Sequence, residues 1–401
     1  MRRITLKEFE PSEPLALSDQ EVEALLRLAP QVRIAPSCAV SGQYELTPDA
    51  HVGVVRFGET VVEIRPKLPM DRFFFILSYA VDPSLWRREH VEFDTEDSVL
   101  EAVAPALCRL VADATHRGLL HGYRNERDAL QLVRGQIRFT DQIQRRYGML
   151  LPVEVSFDEF TEDIDENRVL LAALHRLSRL AIRSAAVRRA LHHIMTAFHS
   201  VQLVRMTASN VPAIHFTRLN EHYKPAVGLA TLILKWCSLE LGREGSTGTA
   251  FLIDMNEVFE RFVHRALQEA LCLSDSAFPL GRTGLFLDEA NVVRMVPDLS
   301  WWAGSQCRFV GDVKYKKTTV AGVVHHDLYQ LLAYLISADL PAGMLIYAAG
   351  EGAPVHHVVR HAGKTLIVES LDLSREQEQI LAQVEILAKR IGSTAAKRGT
   401  S

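Results

Sequence analysis

Behind a glycine- and serine-containing stretch at residues 242–248, the apolar periodicity switches from helix to strand and back. It reads as a helix over 254–270, strands over 283–287, 292–299 and 306–315, a helix over 327–336 and a strand over 342–347. Apolar residues three and four apart mark the helices, and short β-branched runs mark the strands. Helix, three strands, helix, strand specifies a compact α/β unit with one hydrophobic core. The stretch before it is rich in residues that add flexibility and pack no core, so it is read as a linker.

At 401 residues the chain exceeds what one core organises, since single cores stop growing at about 250–300 residues. The expected architecture is α/β (α+β) in three consecutive parts. Residues 1–150 form an N-terminal α/β region. It has a helix capped by Ser18 and Glu21 and a β-hairpin, 52–57 and 60–65, turning at Gly58-Glu59. Helices are expected over 71–80 and 99–121, with a strand over 135–140. Residues 151–245 read as a helical connector, with apolar spacing at Val169, Leu170, Ala173, Leu174 and Leu177, and again at Ala226, Leu229, Leu232 and Ile233. Residues 246–391 form the third domain and 392–401 a frayed tail. Apolar content of 48% with 23% charged residues is that of a soluble globular protein, and a net charge of −4 leaves any nucleic-acid surface to local clusters. Five scattered cysteines and no apolar run near the roughly 20 residues of a spanning helix predict a cytoplasmic protein outside the membrane.

The chemistry concentrates in the third part. Pro297-Asp298 is placed at the end of one strand pattern and Asp312-Val313-Lys314 at the end of the next. Strand side chains alternate faces, so Asp312 and Lys314 project together, away from Gly311, Val313 and Tyr315. Two carboxylates on neighbouring strands make a hard oxygen site suited to Mg²⁺, and a lysine beside them orients or deprotonates a water and offsets charge on phosphorus. Glu260, on the preceding helix, is a candidate third metal ligand. Gln330, on the following helix, is a candidate for holding a phosphate, with Tyr334 one turn on serving packing. Lys314, Lys316, Lys317, His325 and His326 offer local positive charge. The bland reading is a turn-capping Asp298, a surface Asp312–Lys314 pair and a solvated Glu260. Ala362-Gly-Lys-Thr365 lacks the upstream glycine of a phosphate loop, which leaves the chain without a nucleotide site of its own.

Several short motifs occur in a fixed order: Val62-Glu-Ile-Arg-Pro-Lys67, Leu77-Ser-Tyr-Ala80, Arg134-Gly-Gln-Ile-Arg138, Asp165-Glu-Asn-Arg-Val-Leu170, Arg218-Leu-Asn-Glu-His-Tyr223, Asp254-Met-Asn-Glu-Val-Phe-Glu260 and Gln330 with Tyr334. In these the chain resembles the McrC-type nuclease subunits of modified-cytosine McrBC restriction systems, whose C-terminal domain is a PD-(D/E)xK nuclease. The resemblance implies Asp298, Asp312 and Lys314 as the catalytic triplet and Glu260 and Gln330 as helpers. Mg²⁺ is implied as the ion held by Asp298, Asp312 and Glu260, and modified double-stranded DNA as the substrate. It also implies a McrB-like AAA+ hexamer, using GTP or ATP, whose pore receives the N-terminal region. The Gly58-Glu59 hairpin, with Arg56, Glu63, Arg65 and Lys67, is the expected contact surface. The chain is long for the family and Ser300-Trp301-Trp302 is bulky for a turn. A stand-alone repair or recombination nuclease and a non-catalytic motor-stimulating subunit are the competing expectations.

Overall fold

The computed structural model describes residues 2–81, 99–207, 210–241, 247–281, 284–316, 325–348 and 354–396. The first stretch holds β1 (Arg2–Lys7), α1 (Asp19–Leu28), β2 (Val32–Pro36), β3 (Tyr44–Pro48), β4 (His51–Phe57), β5 (Thr60–Arg65) and α2 (Met70–Val81). Next come α3 (Val99–Thr115), β6 (Gly122–Leu130), β7 (Gln136–Ile137), α4 (Phe139–Arg145), β8 (Val153–Thr161), α5 (Asp165–Ser178), α6 (Ala185–Thr196), a 3-10 turn (Glu221–Tyr223), α7 (Lys224–Trp236) and β9 (Cys237–Leu241). The last part holds β10 (Thr247–Asp254), α8 (Met255–Ala270), β11 (Leu285–Phe286), β12 (Arg294–Met295), β13 (Leu299–Ala303), β14 (Gln306–Lys314), α9 (His325–Ser337), β15 (Ala342–Ala348), β16 (Val355–Val358), β17 (Thr365–Leu371) and α10 (Gln377–Ala396).

Local signals behave as the sequence predicts. Ser18 and Glu21 form a reciprocal capping box at the start of α1, satisfying two helix-end N–H groups at once. Gly58, at φ +53°, turns β4 into β5 with Val55 opposite Val62. Asp254 caps α8 by accepting the Asn256 N–H.

The grouping of these elements differs from three consecutive domains. The chain forms two compact units, one of Met1–Val99 with Glu240–Ser401, the other of Leu100–Leu239. The reason is strand pairing at long range. A hairpin leaves one edge of β4 open, and β10 fills it antiparallel, Ala250 opposite Val55, giving the sheet order β1-β5-β4-β10-β9. Gly53 makes the close approach possible: its φ is +145°, and a Cβ there would lie 1.9 Å from the Phe251 carbonyl oxygen. α8 grows straight out of β10, and its Phe262 meets Phe75 and Tyr79 of α2 edge-on at 5.5 Å each. The expected linker at 242–248 lies largely outside the described residues, and its last two residues open β10.

A second sheet in the same unit, ordered β13-β14-β15-β17-β16, is antiparallel at its edges and parallel between β14, β15 and β17. α9 covers one face, where Leu331, Tyr334 and Leu335 pack with Val310, Leu345 and Tyr347. α8 and α10 cover the other. Residues 392–396 continue α10, with Ala395 buried, so fraying from 392 is corrected for these five; the rest of the expected tail, 397–401, lies outside the described residues.

The Leu100–Leu239 unit corrects the helical-connector reading. β6 and β8 pair along their length, Gly122 opposite Thr161 to Leu130 opposite Val153, with β7 on the far edge of β8. Polar residues on both strands masked the period-2 signal. α5, α6 and α7 fall inside the expected helical span. Two of the short ordered motifs, Asp165–Leu170 and Arg218–Tyr223, serve as braces here. Buried Asn167 donates to the carbonyls of Leu120 and Glu162, and the Tyr223 hydroxyl accepts the Leu120 N–H. Asn220 donates to Glu166 and to the His215 carbonyl. Among the described residues no helix is long and apolar enough to cross a membrane.

The two ends of the chain therefore fold together. A fragment beginning at residue 246 should show no cooperative unfolding transition in urea, because β10 loses β4 and α8 loses α2; a sharp, reversible transition in that fragment would contradict the shared sheet. Gly53→Ala should lower full-chain stability by about 3 kcal/mol or more, read from the denaturation midpoint.

Candidate functional site

Asp298 precedes β13 rather than ending a strand. The expected strand over 292–299 is the two-residue β12, followed by the true strand, whose Trp301 and Trp302 are strand residues and not a turn. β13 and β14 are antiparallel with Leu299 opposite Gly311. That register sets Asp298, one residue before Leu299, level with Asp312, one residue after Gly311. Trp302 is buried in the core under α9 and its indole N–H donates to Ser300. The bulk that looked anomalous thus anchors the strand carrying Asp298.

Alternation does the rest. Val310 and Asp312 turn toward the α9 side, and Lys314 joins them, its Nζ 2.5 Å from Asp312 Oδ2. Tyr315 lies on the α8 side, its ring 5.8 Å from Phe259. Asp298 Oδ2 accepts the Val313 N–H at 2.9 Å, tying it to the strand that carries the other two groups. The bland reading of a solvated pair fails: Asp312 is fully buried. Its one close cation is the Lys314 ammonium, and no other donor reaches either Asp312 oxygen among the described residues. A buried carboxylate with Lys314 as its single partner remains short of donors, and a further cation would complete it.

The electrostatics point the same way. Burial, then the neighbouring Asp298 charge, push the Asp312 carboxyl up to about 7, against the pull of Lys314. Burial also raises Asp298, while the contact with Asp312 and the Val313 N–H hold it lower. Two raised carboxyls side by side favour either a shared proton or a cation. For Lys314, burial works against the charge, but Asp312 and Asp298 outweigh it, so the ammonium form is favoured.

Glu260 is raised by burial and lies near enough to feel Asp312 and Lys314. It does not complete a three-carboxylate cluster: among the described residues no group of three or more His, Cys, Asp or Glu is placed to hold a metal ion. The structure thus brings Asp298 and Asp312 together, with Glu260 close enough for its charge to act on both. Two carboxylates still fit Mg²⁺, which commonly takes one or two and keeps its waters.

Gln330 and Tyr334 share a helix face as predicted, but Tyr334 does more than pack. Gln330 Nε2 donates to its hydroxyl at 2.8 Å, and that hydroxyl donates to the Val296 carbonyl at 3.1 Å, two residues before Asp298. Burial and the Asp312 and Asp298 charges push the phenol up to about 12. Lys316 is not a spare cation, because its Nζ pairs with buried Asp327 at 2.8 Å, and Asp327 also accepts the Tyr347 hydroxyl at 2.5 Å. Lys317 lies outside the described residues. Asp327 and Tyr347 carry no sequence signal of this role, since an aspartate in the first turn of a helix is ordinary end-charge. On the hairpin, Glu63 is buried against Arg3 and Arg65, and the Lys67 ammonium sits 3.9 Å over the Tyr315 ring. Those two residues therefore cannot form the expected contact surface.

No curated protein matches the chain. Among solved structures, a refined half-complex from a tetradecameric assembly of Thermococcus gammatolerans McrB AAA+ hexamers with bound McrC has a chain that is 18% identical. The match covers 97% of this chain and 100% of that one, at a TM-score of 0.56, and shows a shared fold. The cryo-EM structure of the Thermococcus gammatolerans McrBC complex is 22% identical over 67% of this chain and 88% of that one, at a TM-score of 0.43. Residues 46–348 match the family described as the McrBC 5-methylcytosine restriction system component, a span that takes in the hairpin, the braced motifs and the Asp298–Asp312–Lys314 site. The chain belongs to the McrBC family.

Proposed function

We propose that this chain is the DNA-cleaving subunit of a McrBC-type restriction complex, hydrolysing phosphodiesters of modified double-stranded DNA with Mg²⁺. The observation that carries this reading is Asp312: a fully buried carboxylate beside Asp298, with the Lys314 ammonium of the same strand face as its single close partner. Family membership supports the restriction role. The assembly of McrB AAA+ hexamers with bound McrC supports a McrB-like AAA+ hexamer, using GTP or ATP, as the cytoplasmic partner.

Asp298 and Asp312 would hold the ion, with Glu260 acting on their charge. When bound there, Mg²⁺ supplies Lewis-acid neutralisation of the scissile phosphate. Lys314, kept as an ammonium by both aspartates, places positive charge where the phosphorane develops its own negative charge, so its role is electrostatic rather than that of a base. Gln330 is held by the Tyr334 hydroxyl, leaving its second amide N–H and its carbonyl for a phosphate or a water.

Asp298→Ala, Asp312→Ala and Lys314→Ala should each lower cleavage by about a hundredfold or more in Mg²⁺ with the AAA+ partner present. Wild-type cutting by any of the three would remove that residue from the site. Divalent-ion affinity, measured by calorimetry on the full chain, should weaken steeply as pH falls from 8 to 6. The raised Asp312 carboxyl takes up a proton in that window, and the proton competes with the ion. A flat affinity across the window would argue against Asp312 as a ligand. Tyr334→Phe should slow cleavage several-fold yet shift unfolding by only about 1 kcal/mol, since the ring still packs and only the hydroxyl is lost.

A further inference from the structure

β14 ends at Lys314, the last residue of the strand in register with β15, opposite Tyr347. The next side chain, Tyr315, leaves the sheet into a buried polar node built from three distant segments. Its hydroxyl donates to Glu8 Oε2 at 3.2 Å, and the Lys67 backbone N–H donates to the same oxygen at 3.1 Å. The Lys67 ammonium lies 3.9 Å from the centroid of the Tyr315 ring and 4.9 Å from that of Phe9. Glu8 and Tyr315 are each only 2% exposed. Phe9 holds the left-handed region at φ +64°, an uncommon conformation for a bulky residue, and so turns the chain beside Glu8.

Stability alone does not call for this node. Burying a carboxylate and an ammonium is expensive, and apolar residues of similar volume commonly serve a core as well or better. What the node does is fix the Lys314–Tyr315 peptide from the α8 side, while the Lys316–Asp327 pair fixes the chain one residue further on. Lys314 is thus held between the sheet and two anchors. We infer that Glu8 and Lys67 are positioning residues for the nuclease centre: through Tyr315 they set the end of β14, and with it the placement of Lys314 and Asp312 against Asp298. The inference rests on the nuclease reading above. It gives the N-terminal strand region a part in cleavage by a chain whose proposed catalytic groups Asp298, Asp312 and Lys314 all lie in its last third.

The test compares full-length Lys67→Met, Glu8→Gln, Tyr315→Phe and Lys67→Arg with wild type and Asp312→Ala, each with the AAA+ partner on double-stranded DNA in Mg²⁺. Lys67→Met should lower the single-turnover rate roughly ten- to a hundredfold, with the KM for DNA and the unfolding midpoint near wild type, because a small misplacement of reacting groups costs about that much. Glu8→Gln and Tyr315→Phe should lower the rate in the same direction. Lys67→Arg, which keeps a cation over the two rings, should recover most of it. Wild-type rates in Lys67→Met and Tyr315→Phe beside a dead Asp312→Ala would overturn the inference and leave the nuclease reading intact. Failure of Lys67→Met, Glu8→Gln and Tyr315→Phe to fold would also overturn it, reducing the node to a structural one. Cleavage by Asp312→Ala would sink the nuclease reading and this inference with it.

Discussion

The pairing of β13 with β14 governs the rest of the site. With Leu299 opposite Gly311, two aspartates from separate stretches of chain arrive level with one another under a helix. Asp312 is fully buried and Asp298 half-buried, so their mutual repulsion and lost hydration have to be offset by positive charge, of which Lys314 supplies one part. Nearby groups are arranged around that cost. The Val313 N–H satisfies Asp298, Lys314 sits against Asp312, and the Tyr334 hydroxyl steadies the backbone leading into Asp298.

A site this sensitive to register needs a rigid frame, and the frame is drawn from both ends of the sequence. α8 packs on the Tyr315 side of β14 because β10, from which it emerges, is locked into the N-terminal sheet beside β4. α9 is held on the other side by buried Asp327, which takes both Lys316 and Tyr347. The same physics removes charges that looked available for DNA or for a partner: Lys316, Glu63 and Lys67 are spent inside the unit. In the Leu100–Leu239 unit, Asn167, Asn220 and Tyr223 are likewise spent on backbone and side-chain braces, which accounts for the residue types in those two motifs without assigning them chemistry.

Much of the local structure was legible in the sequence because it depends on neighbours a few residues apart. The α1 capping box, the hairpin turning at Gly58, the start of α8 at Asp254 and the shared face of Gln330 and Tyr334 all follow from short-range geometry. Alternation along β14 likewise put Asp312 and Lys314 together. Where reading failed, the determining contact lay elsewhere in the chain. The two tryptophans, expected in a turn, form a strand after Asp298 because Leu299 and the residues that follow pair with β14. The β6–β8 pair was hidden by polar residues on both strands, whose alternation shows only once they are paired.

By itself, then, the sequence determined the residue types at the site, their order and spacing, and the one-face placement of Asp312 and Lys314, because a strand's period is a property of its own backbone. Tertiary structure decided which carboxylates meet. It brought Asp298 to Asp312 through an antiparallel register and joined the first 99 residues to the last part of the chain through β4 and β10. Strand partners nearly 200 residues apart are chosen by which open edge and which apolar face remain to be covered after local folding, and no window of sequence contains that choice.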